Sequence, residues 1–112
     1  MMSRELVAVS TRPVLLAILA RGESYGYEII QQVKQLSDGN LEWTEGMLYP
    51  VLHRIEKEGI IESEWKVADT GRKRKYYRLN NKGKEAMAQE RAQWQKVNKA
   101  LTRMWEIKPC LM

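Results

Sequence analysis

The chain has 112 residues, with 19 Lys and Arg against 14 Asp and Glu, one His and one Cys, for a formal net charge of +5. That length holds one domain and little more, and so small a domain leaves apolar area that a second copy could usefully cover. The charge favours an anionic partner such as nucleic acid, no apolar run approaches the roughly 20 residues of a membrane span, and the lone Cys110 rules out an internal disulfide.

The first ten residues include Glu5 and lack the layout of a secretory signal, so a reducing cytoplasm is the expected address. From Pro13 to Arg21 nearly every residue is apolar, and Gly22 follows as a stop. This predicts a buried helix that Pro13 either opens or kinks. In the second case the helix starts near Arg4 and carries Leu6, Val9 and Pro13 on one face. Ser24 is placed to cap the next helix, whose Tyr25, Ile29, Val33 and Leu36 repeat at about 3.6 residues. Ser37-Asp38-Gly39-Asn40 then makes a turn.

Thr44 is a suitable N-cap for a third helix, Glu45 suits its first turn, and Gly59 suits a left-handed stop. Leu48, Val51, Leu52 and Ile55 fall at i, i+3, i+4 and i+7. With that stripe inward, at about 100° per residue the opposite face carries Gly46, Pro50, His53 and Lys57, flanked by Tyr49 and Arg54. Such a face, small at its start and cationic further on, suits entry into a major groove; an ordinary solvated face is the alternative. Pro50 removes the backbone bond to Gly46 and should bend the helix. Runs rich in Ile, Trp, Tyr and Leu then flank a polar loop containing Gly71, which predicts a β-hairpin. Between Gly71 and Lys84 stand Arg72, Lys73, Arg74, Lys75, Arg78, Lys82 and Lys84 without one acidic residue. Charge so gathered is costly without a neutralising anion, and each phosphate contact to a duplex would release counterions.

Asn80 or Asn81 caps a long last helix that meets no proline before Pro109. Met87, Trp94 and Leu101 lie seven apart, Val97 and Met104 fill between them, and Glu90 breaks the series. This is the seam of a helix packing on a second copy of itself, a fold back onto its own core being the alternative. The fold expected is mainly α with a small β-hairpin (α+β). A winged helix-turn-helix occupies 1–79, a C-terminal dimerisation helix 80–108, and a tail 109–112. Catalysis has little to work with. His53 has only Glu56 nearby at i+3, His and Cys are too few for a metal site, and no glycine-rich phosphate loop occurs. Neither enzyme activity, cofactor nor metal is expected.

Three stretches in order, Ser24-Tyr25-Gly26-Tyr27-Glu28-Ile29, Gly46 through Ile61 with its Leu48-Tyr49-Pro50, and Gly71 through Leu79 followed by Lys82-Gly83, resemble the PadR family of bacterial transcriptional regulators. The likeness runs from about Pro13 to Ala88. The single C-terminal helix resembles the compact subgroup that includes the multidrug-binding repressor of lactic acid bacteria. What this resemblance implies is a homodimeric repressor on a two-fold-symmetric double-stranded operator, with phosphates met by Ser24, Tyr25, Tyr49 and Arg72. Thr44, Gly46, Met47, Pro50, His53, Arg54, Lys57, Lys73 and Arg74 complete the expected DNA-binding set. Met47 stands where the family often has Thr and Lys73 where it often has Pro, which leaves base preference and wing shape open. The resemblance further implies a planar hydrophobic or cationic ligand sandwiched by paired Trp94 rings, with Leu6, Val9, Val97, Asn98 and Leu101 around it. Met87, Trp94, Val97, Leu101 and Met104 form the expected dimer interface, and a Trp94 that merely fills it fits the spacing equally well. The competing function is a winged-helix module whose basic hairpin docks an acidic protein.

Overall fold

Ser3 accepts the backbone N–H of Leu6 and opens helix α1 (Arg4–Ala20), which runs unbroken through Pro13. The longer of the two helices expected here is therefore the one formed. The computed structural model describes residues 2–107; the tail expected at 109–112, with Cys110, lies outside them. Leu15, Leu16, Ile18 and Leu19 of α1 are buried and form one wall of the core.

Ser24 does not cap the next helix. With Tyr25 it forms a two-residue strand, β1 (Ser24–Tyr25), and the N-cap of α2 (Gly26–Leu36) is Tyr25, which makes no side-chain cap bond. Pairing of Ser24 with Tyr77 and of Tyr25 with Tyr76 turns Ser24 into the sheet and away from the helix end. Its buried hydroxyl donates to Glu28 at 2.6 Å and accepts from Gln32 at 3.2 Å. Leu36 also departs from expectation: Ile29 and Val33 are buried, but Leu36 is 56% exposed because the last turn of α2 projects past the core.

After the Ser37–Asn40 turn, Leu41 and Trp43 enter the core from the connecting segment, and Thr44 accepts the Met47 N–H at 3.3 Å to start α3 (Glu45–Lys57). Pro50 lies inside α3, and Gly59, at φ 79°, stops the chain after it. Strands β2 (Ile61–Val67) and β3 (Lys73–Leu79) form the hairpin, antiparallel with Ile61 opposite Leu79 and Val67 opposite Lys73. β1 adds to the other edge of β3, giving the order β1-β3-β2. Core side chains from α1, α2 and α3 close on Ile61, Tyr77 and Leu79 of this sheet.

Asn80 caps α4 (Asn81–Glu106), accepting the Gly83 N–H at 2.9 Å. The same residue ties the helix to the end of α3: its amide donates to the Gly59 carbonyl at 2.6 Å and its backbone N–H to that of Ile60 at 3.2 Å. Gly83 is buried there, and a Cβ on it would run into the Ile60 carbonyl oxygen. Ala86 and Met87 pack on the core, so Met87 of the expected seam is partly covered by its own chain. From Arg91 to Glu106 every residue is exposed. The first half of the helix packs beside α1 and the second half projects, and the long axis of the molecule reaches 68 Å. Among the described residues no helix is long and apolar enough to cross a membrane.

Candidate nucleic-acid interface

Burial of Leu48, Leu52 and Ile55 fixes the rotation of α3, and Gly46, Pro50, His53, Arg54 and Lys57 consequently point outward and are exposed. Val51 and Met47 pack half-buried at the edge of the core, so Met47 offers only part of its surface. Alternate residues of a strand share a face. On β2 and β3 the face that carries Ile61, Ser63, Tyr77 and Leu79 onto the core continues outward as Trp65, Val67, Lys73 and Lys75. This extension of the hairpin, the start of α2 and the outer side of α3 wall a cleft of about 730 Å³.

The cleft brings together Tyr25, Tyr49, His53, Arg72, Lys73 and Arg74 of the expected set, and Pro50, Arg54 and Lys57 continue from His53 along the adjoining surface of α3. Thr44, Gly46 and Met47 do not line it, and Ser24 lies beneath the surface with its hydroxyl engaged. Tyr27, Glu45, Trp65, Lys75 and Tyr77 line it without having been expected there. Trp65 had a signal: it is an aromatic residue in phase with Ile61 and Ser63, one step beyond what the core can cover. Tyr49 stands where Gly26 makes room for it; a Cβ at Gly26 would collide with the Tyr49 hydroxyl.

The cations of the hairpin divide into two groups. At its base, Arg78 donates through Nε to Glu62 at 3.0 Å and through Nη1 to Glu64 at 3.1 Å, and further out Lys66, opposite Arg74, pairs with Glu23. Toward the tip, Arg72, Lys73, Arg74 and Lys75 have no ion-pair partner among the described residues. Aromatic rings hold two of these: the Arg74 guanidinium lies 4.4 Å from the centre of Tyr25, and the Lys75 ammonium 5.6 Å from that of Tyr77. Tyr25 is itself braced edge-on by Tyr76, with ring centres 5.3 Å apart. Burial, with the neighbouring Tyr49 and Glu56, pushes the Tyr77 hydroxyl up to about 12. Like any tyrosine, Tyr77 is neutral at ordinary pH, so it does not offset the positive charge above it. A site of this kind attracts a polyanion and offers hydrogen-bond donors and aromatic faces.

A second concavity of about 540 Å³ lies between α1 and α4, lined by Ser10, Pro13, Val14, Leu16 and Ala17 on one side and by Met87, Glu90, Arg91, Trp94, Gln95 and Asn98 on the other. Of the expected ligand residues it includes Trp94 and Asn98. Leu6, Val9, Val97 and Leu101 are exposed but do not line it. Among the described residues no group of His, Cys, Asp and Glu is placed to hold a metal ion.

The family model described as the transcriptional regulator PadR-like family matches residues 15–89, ending before the exposed half of α4. The transcriptional regulator Rv3488 of Mycobacterium tuberculosis is 35% identical over 88 residues, covering 79% of this chain and 78% of that protein. A PadR-like transcriptional regulator from Bacillus cereus superposes with a TM-score of 0.82 at 28% identity, over 93% of this chain and 99% of that one. A transcriptional regulator from Clostridium thermocellum gives 0.81 at 28% identity, over 96% and 100%. A helix and a hairpin bounding a cationic cleft, in a chain matched by the family model over most of its length, have one conclusion: this chain belongs to the PadR-like family of transcriptional regulators.

Proposed function

We propose that the chain binds a two-fold-symmetric DNA operator as a homodimer in the cytoplasm and represses the adjacent promoter. The observation that carries this reading is the run Arg72–Lys75, cations that have no acidic partner among the described residues and line one cleft with Tyr49 and His53. In the complex α3 lies in the major groove, where His53, Arg54 and Lys57 face bases and phosphates, and Tyr49 and Arg72 hold the flanking backbone. Homodimerisation is supported by the uncovered stripe of Trp94, Val97, Leu101 and Met104 on α4, which water would otherwise wet. A flat hydrophobic or cationic compound held between the two Trp94 rings relieves repression, as in the compact subgroup that the single C-terminal helix resembles.

A mobility-shift assay on the chain's own promoter region, repeated across a salt series, tests the proposal. The expected result is preference for one symmetric site over bulk DNA, with log affinity falling by about 0.9 per phosphate contact for each unit of log salt. Indifference to DNA overturns it and leaves the acidic protein partner. Quenching of tryptophan fluorescence by flat aromatic compounds, lost in Trp94→Ala, is the expected outcome for the ligand.

A further inference from the structure

Arg12, halfway along α1, is bound by acids from two other helices. Its Nη1 donates to both oxygens of Glu58 at 2.7 and 2.9 Å, and its Nε donates to both oxygens of Glu90 at 3.1 Å. Each acid is out of place by the rules of its own helix. Glu58 is the C-cap of α3, where the helix dipole disfavours a carboxylate. Glu90 interrupts the seven-residue apolar series of α4. One guanidinium accounts for both.

The rest of the α3–α4 junction lies at a single place, where Asn80 and Gly83 meet Gly59 and Ile60. Ala86 and Met87 pack on the core and support the first turns of α4 through apolar contact, which sets no fixed angle to α3. Glu90, ten residues beyond the cap, is about 15 Å further along α4 at the helical rise of 1.5 Å. A second attachment there fixes the angle. We propose that Arg12 is a positioning residue, a strut that sets the angle between α3 and α4 and thereby the separation at which the dimer presents its two α3 helices to DNA. The inference rests on the DNA-binding dimer proposed above. Leverage makes the angle matter: α4 is about 39 Å long, so a tilt of about 5° moves its far end by about 3 Å, close to the roughly 3.4 Å rise along the duplex axis per phosphate of one strand. Removing Arg12 also leaves Glu58 and Glu90 facing each other as like charges, which drives the two helices apart.

The test compares wild type with Arg12→Gln on two probes: a duplex carrying the symmetric site protected in the promoter region, and a duplex carrying half of it. Measurements are made at a temperature where melting curves show both proteins fully folded. Arg12→Gln is expected to keep its affinity for the half-site while losing about tenfold on the full site. It should also tolerate half-sites moved one base pair closer or further apart, with an unchanged salt slope because Arg12 touches no phosphate. Adding Glu58→Gln, which removes the repulsion, should restore part of the loss, and Arg12→Lys, which cannot fork to both acids, should fall between. If Arg12→Gln does not fold, Glu90→Gln removes the same strut from its other end. Equal loss on half-site and full site, or none on either, overturns the inference and leaves the DNA-binding reading standing. A wild-type chain that binds neither duplex overturns both.

Discussion

Helices α3 and α4 are both amphipathic, and the chain treats their apolar stripes in opposite ways. On α3, Leu48, Leu52 and Ile55 are at most 1% exposed and Val51 is half-buried, so the stripe belongs to the core and the polar side is left open. On α4, Trp94 is 39%, Leu101 41% and Met104 65% exposed, so the stripe itself is left open by its own chain. The face a helix leaves open is thus decided by which face its own chain covers. A hydrophobic pattern read along the sequence shows the stripe and leaves the covering unknown.

The contrast is broken or sharpened by substitution, beginning with the largest effect. Leu52→Ala should destabilise the fold by about 2–5 kcal/mol in urea unfolding, since it opens a cavity in a fully buried site. Leu101→Ala should leave the unfolding of the dilute single chain nearly unchanged while weakening self-association by about tenfold in sedimentation. Equal losses of monomer stability from the two would erase the distinction. Gly83→Ala should cost about 1–3 kcal/mol, because the added Cβ meets the Ile60 carbonyl and must push α4 off the end of α3. Arg72→Ala should weaken binding to all duplexes alike and lower the salt slope by about one unit. Arg78→Ala should have the smallest effect on DNA, with no change of slope, because Glu62 and Glu64 already hold its charge.

Local rules made much of this fold legible. The Thr44 cap, the Gly59 stop, the rotation of α3, the hairpin and the cap at Asn80 all depend on residues a few positions apart. What escaped was non-local. Ser24 has every qualification of a helix cap, yet a two-residue pairing with Tyr77, far along the chain, draws it into the sheet. Glu90 looked like a flaw in a seam until Arg12, 78 residues away, was placed beside it. The cations after Gly71 read as one group, although cross-strand acids neutralise Arg78 and, among the described residues, Arg72–Lys75 have no acidic partner. Trp65 joined the cleft because β2 outruns the core, a matter of the size of the core and not of the residue.

The most direct measurement is the slope of log affinity against log salt for duplex DNA, compared between wild type and a chain carrying Arg72→Ala, Lys73→Ala and Arg74→Ala together. If the unpaired cations of the hairpin tip hold phosphates, the triple variant should lose up to about three units of slope and keep its thermal stability. Identical slopes, with affinity retained, would show that the cleft meets something other than DNA.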